Sequence, residues 1–312
     1  MGWKVLITDG LEQEGLEIIN RKDEAINKKG ISAEDLLEQI SEYDAMIVRG
    51  RTKVTETILE AGKNLKVVGR MGVGVDNIDL QAAKTRKIKV VNSPLATTIS
   101  VAELTMALML GLVRNIAFAD NGMKAGKWLK KDLVGTELSN KTLGIIGYGN
   151  IGEMVSKMAQ AFNMTVLSFD PVRSPADVKA SGAKPVELEQ LIEQSDIITL
   201  HIPLIASTKH ILNQEAFKKM KDGVKIICAA RGGVIDDAAL LEALVSGKVS
   251  GAALDVFETE PPIDLQLSSH PNVIATPHIG AQTSEAQIRA AIDISSEIIA
   301  ALDDKPLRWK IV

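Results

Sequence analysis

Short apolar runs with the composition of β-strands alternate with helical patterns along the whole chain, and this alternation restricts the fold most. Ten runs are predicted to be strands: 4–9, 44–50, 66–71, 88–93, 142–149, 164–170, 196–203, 224–230, 251–257 and 272–278. Several are apolar along their whole length, as expected of strands that are buried on both faces. The pattern therefore predicts an α/β fold with parallel sheets covered by helices.

Length and composition restrict the class of protein further. The chain has 312 residues, of which 46% are hydrophobic, which favours two domains over one. The formal net charge is −4 and both signs are scattered, so nothing indicates a nucleic-acid or membrane partner. The single cysteine, Cys228, cannot pair within the chain, and we expect a cytoplasmic protein without a metal site.

Two longer helices are expected at 101–119 and 284–303. Ser100 is a candidate cap for the first helix, and Ser284 followed by Gln287 is one place where the second could begin. The first segment is apolar but interrupted by charges, and is too short to span a membrane. Because its centre is apolar on every face, we expect it to be buried, either in a homodimer interface or in the core of one subunit.

A glycine-rich turn follows the predicted strand at 142–149. Gly147, Gly149 and Gly152 form the pattern G-x-G-x-x-G at the start of a helical segment, which is the context that a dinucleotide-binding loop needs. Asp170 ends the next strand, close to the ~20-residue spacing typical of the carboxylate that binds the adenosine ribose. This carboxylate favours NAD over NADP, although Arg173 is near enough to weaken the preference.

Three polar residues follow later strands. Arg231 comes after the strand at 224–230, Glu260 after the strand at 251–257, and His278 ends the strand at 272–278. Because carboxyl ends of parallel strands meet at one edge, we expect these side chains near the nucleotide. An arginine can bind a carboxylate, a histidine can exchange a proton, and a glutamate can orient the imidazole. Each alone is often a solvated or structural residue, but their order on successive strands indicates a hydride-transfer site.

The other histidines receive different interpretations. His201 also ends a strand and is interpreted as structural or cofactor-adjacent, because no carboxylate is placed to match it. His210 and His270 lie in polar stretches that are typical of a surface.

At this point the chain resembles the D-isomer-specific 2-hydroxyacid dehydrogenases. The matching segments are GRMGVGVDNIDL (69–80), VNSP (91–94), GIIGYGNIG (144–152), HIPL (201–204), CAARGGVIDDAAL (228–240), GAALDVFETEPP (251–262) and TPHIGAQT (276–283). They are spread over nearly the whole chain. Within the family, VVGRMGVGVDNID, GKWLKKDLVGTEL and AALDVFETEPP most resemble the enzymes that act on D-3-phosphoglycerate.

The resemblance implies roles for individual residues. Arg231, Glu260 and His278 would be catalytic, with Arg231 and His278 also touching the substrate. The positions that match usual cofactor contacts are Val73, Gly147, Gly149, Asn150, Ile151, Gly152, Asp170, Ile202, Pro203, Ala229, Ala230, Asp255, Gly280 and Ala281. Asp255 would meet the nicotinamide carboxamide. Val73 and Gly74 match a loop that binds the substrate carboxylate. Arg51 matches a substrate-site arginine, although either Arg49 or Arg51 could face the substrate.

The resemblance also implies the domain layout and the reaction. We expect a discontinuous substrate domain, 1–98 plus 282–312, a Rossmann-type NAD-binding domain at 99–281, and an active site in the cleft between them. The subunits would join as a homodimer around 101–119. The reaction expected is NAD-dependent oxidation of D-3-phosphoglycerate to 3-phosphohydroxypyruvate, a step of serine biosynthesis. The sequence ends at Val312, so we expect a catalytic core without the C-terminal regulatory domain of longer relatives.

Two alternatives stay open. One is a reductase for glyoxylate, hydroxypyruvate or a D-lactate-type substrate, which would need no phosphate site. Lys53, Lys130 and Lys131, together with Arg51, are candidates for such a site, but lysines in polar loops are often merely solvated. The other is an NAD(H)-sensing protein without catalysis, which the complete set of Arg231, Glu260 and His278 argues against.

Overall fold

The computed structural model describes residues 2–312, which divide into two compact α/β units. The first unit runs up to Thr97 and includes Ala281–Val312, and the second is Thr98–Gly280. Every strand pair in both units is parallel, which confirms the predicted fold class. The substrate role expected for the first unit remains a prediction.

The elements are numbered in chain order. The strands are β1 (Lys4–Ile7), β2 (Glu24–Asn27), β3 (Ala45–Val48), β4 (Val67–Arg70), β5 (Lys89–Asn92), β6 (Thr142–Ile146), β7 (Thr165–Phe169), β8 (Lys184–Pro185), β9 (Ile197–Leu200), β10 (Val224–Cys228), β11 (Val249–Leu254) and β12 (Val273–Ala275). The helices are α1 (Gln13–Asn20), α2 (Ala33–Gln39), α3 (Glu56–Ala61), α4 (Leu80–Thr85), α5 (Thr98–Val113), α6 (Ile116–Lys124), α7 (Asn150–Ala161), α8 (Pro175–Ala180), α9 (Leu188–Gln194), α10 (Gln214–Lys219), α11 (Asp237–Val245) and α12 (Ser284–Leu302), with a short 3₁₀ turn at Ile40–Glu42.

The first unit has a five-stranded sheet in the order β2-β1-β3-β4-β5. Helix α12 returns to this unit and packs on the sheet and on α1. Small residues permit the close approach: a Cβ on Gly69 of β4 would lie 2.9 Å from atoms of both Ile294 and Ile298, and one on Gly15 of α1 would lie 2.9 Å from Ala291. The C-terminal part of the split unit is thus built into its core.

The second unit has a seven-stranded sheet in the order β12-β11-β10-β9-β6-β7-β8. The chain direction across the sheet reverses between β6 and β9, and ligands of open parallel sheets bind beyond the strand ends at such a point. The ten sequence-predicted strands, four in the first unit and six in the second, are all present, although most are shorter than predicted.

Two details of the predicted helices were wrong. The segment 101–119 is not one helix, because α5 ends at Val113 and α6 begins at Ile116 with a bend of 65°. Asn115 adopts a left-handed conformation, with φ at 54°, which an α-helix cannot continue through. Ser100 does not cap α5, which begins two residues earlier at Thr98. Helix α12 begins at Ser284, but its cap is the preceding Thr283, which accepts from the backbone of Ala286.

Strands β2 and β8 were not predicted, and both lie at the outer edge of their sheets.

No single helix in residues 2–312 combines the length and the apolar character that a membrane crossing requires; only the bent pair α5 and α6 meets both criteria together.

Candidate functional site

The glycine-rich turn connects β6 to α7 in the second unit. Gly147 has a left-handed φ of 94°, and a Cβ there would lie 2.5 Å from the carbonyl oxygen of His201. A Cβ on Gly149 would meet nothing within 4 Å, whereas one on Gly152 would collide with the carbonyl of Gly147. The first and third glycines therefore permit the tight turn, and the second leaves open space at the amino end of α7, where Asn150 and Ile151 begin the helix. This geometry suits a bound pyrophosphate.

Asp170 lies beside this turn, at the end of β7. Its carboxylate accepts from the backbone N–H groups of Tyr148 (2.6 Å), Val172 (2.8 Å) and Arg173 (3.0 Å). Burial acts to raise the pKa of Asp170, but these three hydrogen bonds outweigh it and the pKa is lowered. The guanidinium of Arg173 is bound instead to Glu153, at 2.8 Å. Asp170 is therefore a charged acceptor whose position is fixed by the glycine-rich turn itself.

His278 and Glu260 form a hydrogen-bonded pair. Nδ1 of His278 lies 2.8 Å from Oε2 of Glu260, and the histidine side chain is about half exposed. Burial acts to raise the pKa of Glu260, but the hydrogen bond with His278 and the charges of His278 and Arg231 hold it below its ordinary value. The other ring nitrogen, Nε2, is therefore the atom available for proton exchange with a ligand.

Arg231 follows β10 and reaches the same region. Its charge acts on Glu260, so the three residues predicted to be catalytic lie close together in the second unit. One guanidinium nitrogen donates to the carbonyl of Ala230 at 2.6 Å, which bends the side chain back over the end of its own strand. Ala229 and Ala230 are buried at this strand end.

Asp255 binds the turn that carries His278, a role that the sequence did not predict. Its buried carboxylate accepts from the Thr276 hydroxyl (2.6 Å) and from the backbone N–H groups of Ile279 (2.8 Å) and Gly280 (2.8 Å). The backbone N–H of His278 donates to the Asp255 carbonyl, and His278 has a left-handed φ of 53°. Asp255 therefore fixes the turn that presents His278.

A cavity of about 480 Å³ adjoins the His278–Glu260 pair. Asp255, Phe257, Pro262 and Thr276 line it together with these two residues. Its walls are mainly apolar, which is the usual character of a small-molecule site with few polar groups.

Other predicted cofactor positions lie at neighbouring strand ends. Ile202, half-buried, and Pro203, exposed, follow β9 beside the glycine-rich turn. Gly280 is buried at the end of the second unit, and Ala281 is the first residue of the returning segment. The His201 side chain is uncharged near neutral pH, because burial lowers its pKa to about 4. Its Nε2 lies 3.1 Å from the Thr199 hydroxyl, as a structural histidine would.

Three of the predicted substrate residues, Arg51, Val73 and Gly74, lie in the first unit. Val73 and Gly74 belong to the loop after β4, where Val73 is exposed and its carbonyl accepts from Asn92 at 2.7 Å. Arg51 is paired with Asp9 at 2.9 Å, and Arg49 is held by both carboxylate oxygens of Glu12 at 2.7 Å. Both arginines have carboxylate partners, so the choice between them stays open.

His210 does not lie in a merely polar surface stretch, as its sequence context indicated. Its Nε2 lies 2.9 Å from a carboxylate oxygen of Glu258, which is two residues from Glu260. Glu258 is far away in the sequence, so only the fold brings the two together. Within residues 2–312 no group of three or more His, Cys, Asp or Glu side chains is arranged so that it could hold a metal ion.

Comparison with known proteins identifies the family. Residues 106–280 match the profile of the D-isomer specific 2-hydroxyacid dehydrogenases, NAD binding domain. The chain is 49% identical to a hydroxypyruvate reductase of Thermotoga maritima over 304 residues, which cover 96% of this chain and 98% of that protein. It is 46% identical to a D-3-phosphoglycerate dehydrogenase of Bacillus subtilis over 95% of this chain, but that match covers only 56% of the dehydrogenase.

A solved structure agrees with these relatives. The D-lactate dehydrogenase of Aquifex aeolicus, complexed with NAD and lactic acid, superposes with a TM-score of 0.85 and 32% identity over 96% of both chains. The profile covers the glycine-rich turn, Asp170, Arg231, Glu260 and His278 in one continuous match. The chain therefore belongs to the D-isomer specific 2-hydroxyacid dehydrogenases.

Proposed function

We propose that this chain interconverts a D-2-hydroxy acid and its 2-keto acid with NAD as the hydride carrier. The observation that carries the proposal is the hydrogen bond between His278 and Glu260, at 2.8 Å beside Arg231. An acid–base group, its orienting carboxylate and a carboxylate anchor are what this reaction requires of the protein.

Each residue has a distinct part in the reduction. The glycine-rich turn and Asp170 would hold NADH, which would supply the hydride for the keto carbon. Arg231 binds the substrate carboxylate and polarises the adjacent carbonyl. His278, protonated at Nε2, gives its proton to the carbonyl oxygen as the hydride arrives. Glu260 stabilises the imidazolium before the transfer and keeps Nε2 directed at the substrate.

The substrate that we propose first is D-3-phosphoglycerate, which would place the chain in serine biosynthesis. The similarity to phosphoglycerate dehydrogenases supports it. Hydroxypyruvate is the second candidate, because the match to the hydroxypyruvate reductase covers that relative almost completely, whereas the phosphoglycerate dehydrogenase is nearly twice as long as the matched part. Initial rates on D-3-phosphoglycerate, hydroxypyruvate, glyoxylate, pyruvate and D-lactate separate these substrates. A kcat/KM that is highest for an unphosphorylated acid would contradict the first choice.

An NAD(H)-sensing protein without catalysis is the remaining alternative, and the presence of Arg231, Glu260 and His278 argues against it. Such a protein would bind NADH tightly but turn over none of these acids, so the same substrate panel distinguishes the two functions.

The preference for NAD is ascribed to Asp170, since its charge opposes a 2′-phosphate. Asp170→Ala should weaken NAD binding and raise the relative use of NADP, measured as the ratio of kcat/KM values. Arg173→Ala is the matched control, because it removes the neighbouring positive charge and leaves the carboxylate. An unchanged ratio in Asp170→Ala would contradict a ribose contact.

We also propose a homodimer joined through residues 101–119 and the segment that follows them as far as Trp128. The inner face of α5 is buried in its own unit, but Ile99, Ile116, Met123 and Trp128 expose 45%, 58%, 57% and 77% of their surfaces. Such exposed apolar side chains along one segment are typical of an interface. Light scattering should give twice the chain mass, and Met123→Glu should lower it. A chain-sized mass in the parent would contradict the dimer.

Finally, we propose a cytoplasmic location. The lone Cys228 is buried, and burial raises the pKa of its thiol to about 12, so it has no role as a disulfide partner or a reactive thiolate. Fractionation of the source cells tests this location.

A further inference from the structure

A charged cluster that hydride transfer does not use lies behind the loops that carry Arg231 and Glu260. Its members are His210, Asp236, Asp237 and Glu258, from three separate stretches of the second unit. Three of the four carry carboxylates, and His210 is the group among them that can be positive. The carboxylates in this cluster repel one another unless a cation or hydrogen bonds offset the repulsion.

His210 contacts both active-site loops. Its backbone N–H donates to the carbonyl of Gly233 at 2.9 Å, in the loop that begins with Arg231. Its ring approaches the other loop, where Nε2 lies 2.9 Å from Oε1 of Glu258, although the direction is poor for a hydrogen bond. Nδ1 lies 3.8 Å from Asp236, which caps α11 through the backbone of Ala239. One residue thus connects two loops and a helix start.

The carboxylates of Asp237 and Glu258 lie close together, and His210 offsets part of the repulsion between them. Each accepts weakly from the backbone N–H of the other residue, at 3.4 and 3.3 Å. Burial raises the pKa of Asp237 to about 6, and the negative charges of Glu258 and Asp236 add to the rise, while His210 opposes it. Removal of His210 would leave the repulsion between Asp237 and Glu258 offset only by these two weak backbone hydrogen bonds.

A movement of Glu258 cannot stay local. A Cβ on Gly232 would overlap the carbonyl group of Phe257, so the backbones of the two loops are in direct contact. The backbone N–H of Phe257 also donates to Glu260 at 3.3 Å. A shift of Glu258 is therefore transmitted to the neighbours of both Arg231 and Glu260.

We propose that His210 is a positioning residue, which joins the Arg231 loop to the Glu260 loop through Glu258 and so keeps the catalytic groups in register. The inference rests on the proposed dehydrogenase function. It predicts that loss of the His210 side chain impairs turnover more than cofactor binding, because the glycine-rich turn and Asp170 belong to β6 and β7.

The first test is His210→Asn. His210 has a left-handed φ of 52°, which asparagine tolerates, so the backbone bond to Gly233 can persist while the shorter side chain loses Glu258. We expect kcat for keto-acid reduction to fall about 10-fold, since a misplacement of ~1 Å can cost about 10²-fold, while the Kd for NADH stays within about twofold. Lys209→Ala, at the exposed neighbouring position, is the control and should match the parent.

The second test is a double-mutant cycle with Glu258→Gln. If His210 acts through Glu258, the double variant should lose no more activity than His210→Asn alone. A third variant, His210→Gly, leaves space for a ring, and millimolar imidazole should restore part of its kcat. Additive losses, or an equal loss of NADH affinity and turnover, would overturn the inference. So would a kcat of His210→Asn within about twofold of an active parent, whereas an inactive parent would refute the dehydrogenase function instead.

Discussion

At the scale of single residues, the site depends on a histidine held in an uncommon backbone conformation. His278 has a left-handed φ of 53°, and Asp255 binds the turn on both sides of it through Thr276, Ile279 and Gly280. Non-glycine residues in this conformation are uncommon and persist where their surroundings hold them. The orientation of the ring is thus fixed twice, by the turn behind it and by Glu260 beside it.

His278→Ala should remove most turnover and spare NADH binding. The imidazole is the acid–base group that we propose, and loss of such a group typically costs about 10²–10⁴ in rate. The measurement is kcat for keto-acid reduction together with NADH affinity by fluorescence titration. His270→Ala, which removes a histidine outside the site, is the control. Turnover of His278→Ala within a few-fold of the parent would show that another group transfers the proton.

Glu260→Gln should move the alkaline limit of reduction to lower pH. The carboxylate stabilises the imidazolium at 2.8 Å, and a neutral amide cannot. The proposed reduction requires the protonated ring, so the rate should begin to fall at a lower pH than in the parent. Glu285→Gln, on the exposed first turn of α12, is the control, and an unmoved pH–rate profile in Glu260→Gln would count against the pairing.

The sequence was informative about residues that lie at strand ends and uninformative about contacts between distant loops. Arg231, Glu260 and His278 follow successive strands of a predicted parallel sheet, so their neighbourhood could be inferred from order alone. His210 and Glu258 belong to different loops, and no local pattern relates them. Asp255 was assigned to the cofactor by resemblance, whereas its hydrogen bonds to the His278 turn depend on side-chain geometry.

At the scale of elements, strands buried on both faces were predictable, but two of the four edge strands, β2 and β8, were not. β3, with the sequence AMIV, is buried at every position, and its continuous apolar run is visible in the sequence. β2, with the sequence EAIN, is exposed at both ends, and β8 contains only Lys184 and Pro185. Pairing with a neighbour makes these segments strands, and proline in a strand is confined to such edges. Their composition alone therefore could not identify them.

The break between α5 and α6 gives a prediction for Asn115. Apolar residues lie on both sides of Arg114 and Asn115, so the hydrophobic pattern does not reveal the break. Asparagine tolerates the left-handed conformation and donates to the carbonyl of Val134 at 3.4 Å. Asn115→Ala should therefore lower the free energy of unfolding by about 1 kcal/mol, measured with urea. Asn115→Gly fits the same φ and should cost less, and an Ala variant as stable as the Gly variant would contradict this origin of the bend.

At the scale of the whole molecule, the chain builds two separately packed units from a split sequence. The first unit is completed by α12, whose Ala291, Ile294 and Ile298 are buried against residues that precede Thr97. The second unit has its cores on the two faces of the seven-stranded sheet. Composition suggested two domains, but the discontinuity of the first could be inferred only from family resemblance, because nothing in the apolar pattern near residue 281 tells which core the last helix joins.

Because the two units are packed separately, we predict that NAD stabilises one unit more than the other. A ligand that binds only the folded form of a unit stabilises it by about 2.7 kcal/mol at 100 times its Kd, which corresponds to about 100-fold slower exchange of amides that open only by unfolding. With saturating NAD, the most protected amides of β6, β9 and β10 should slow by about this factor, and those of β1, β3 and β4 by much less. Hydrogen exchange followed by mass spectrometry measures both sets in one sample. Asp170→Ala at the same NAD concentration should show a smaller effect, as weaker binding requires. Equal slowing in both sheets would mean that the two units unfold together, so that the division into compact units is not a division of stability.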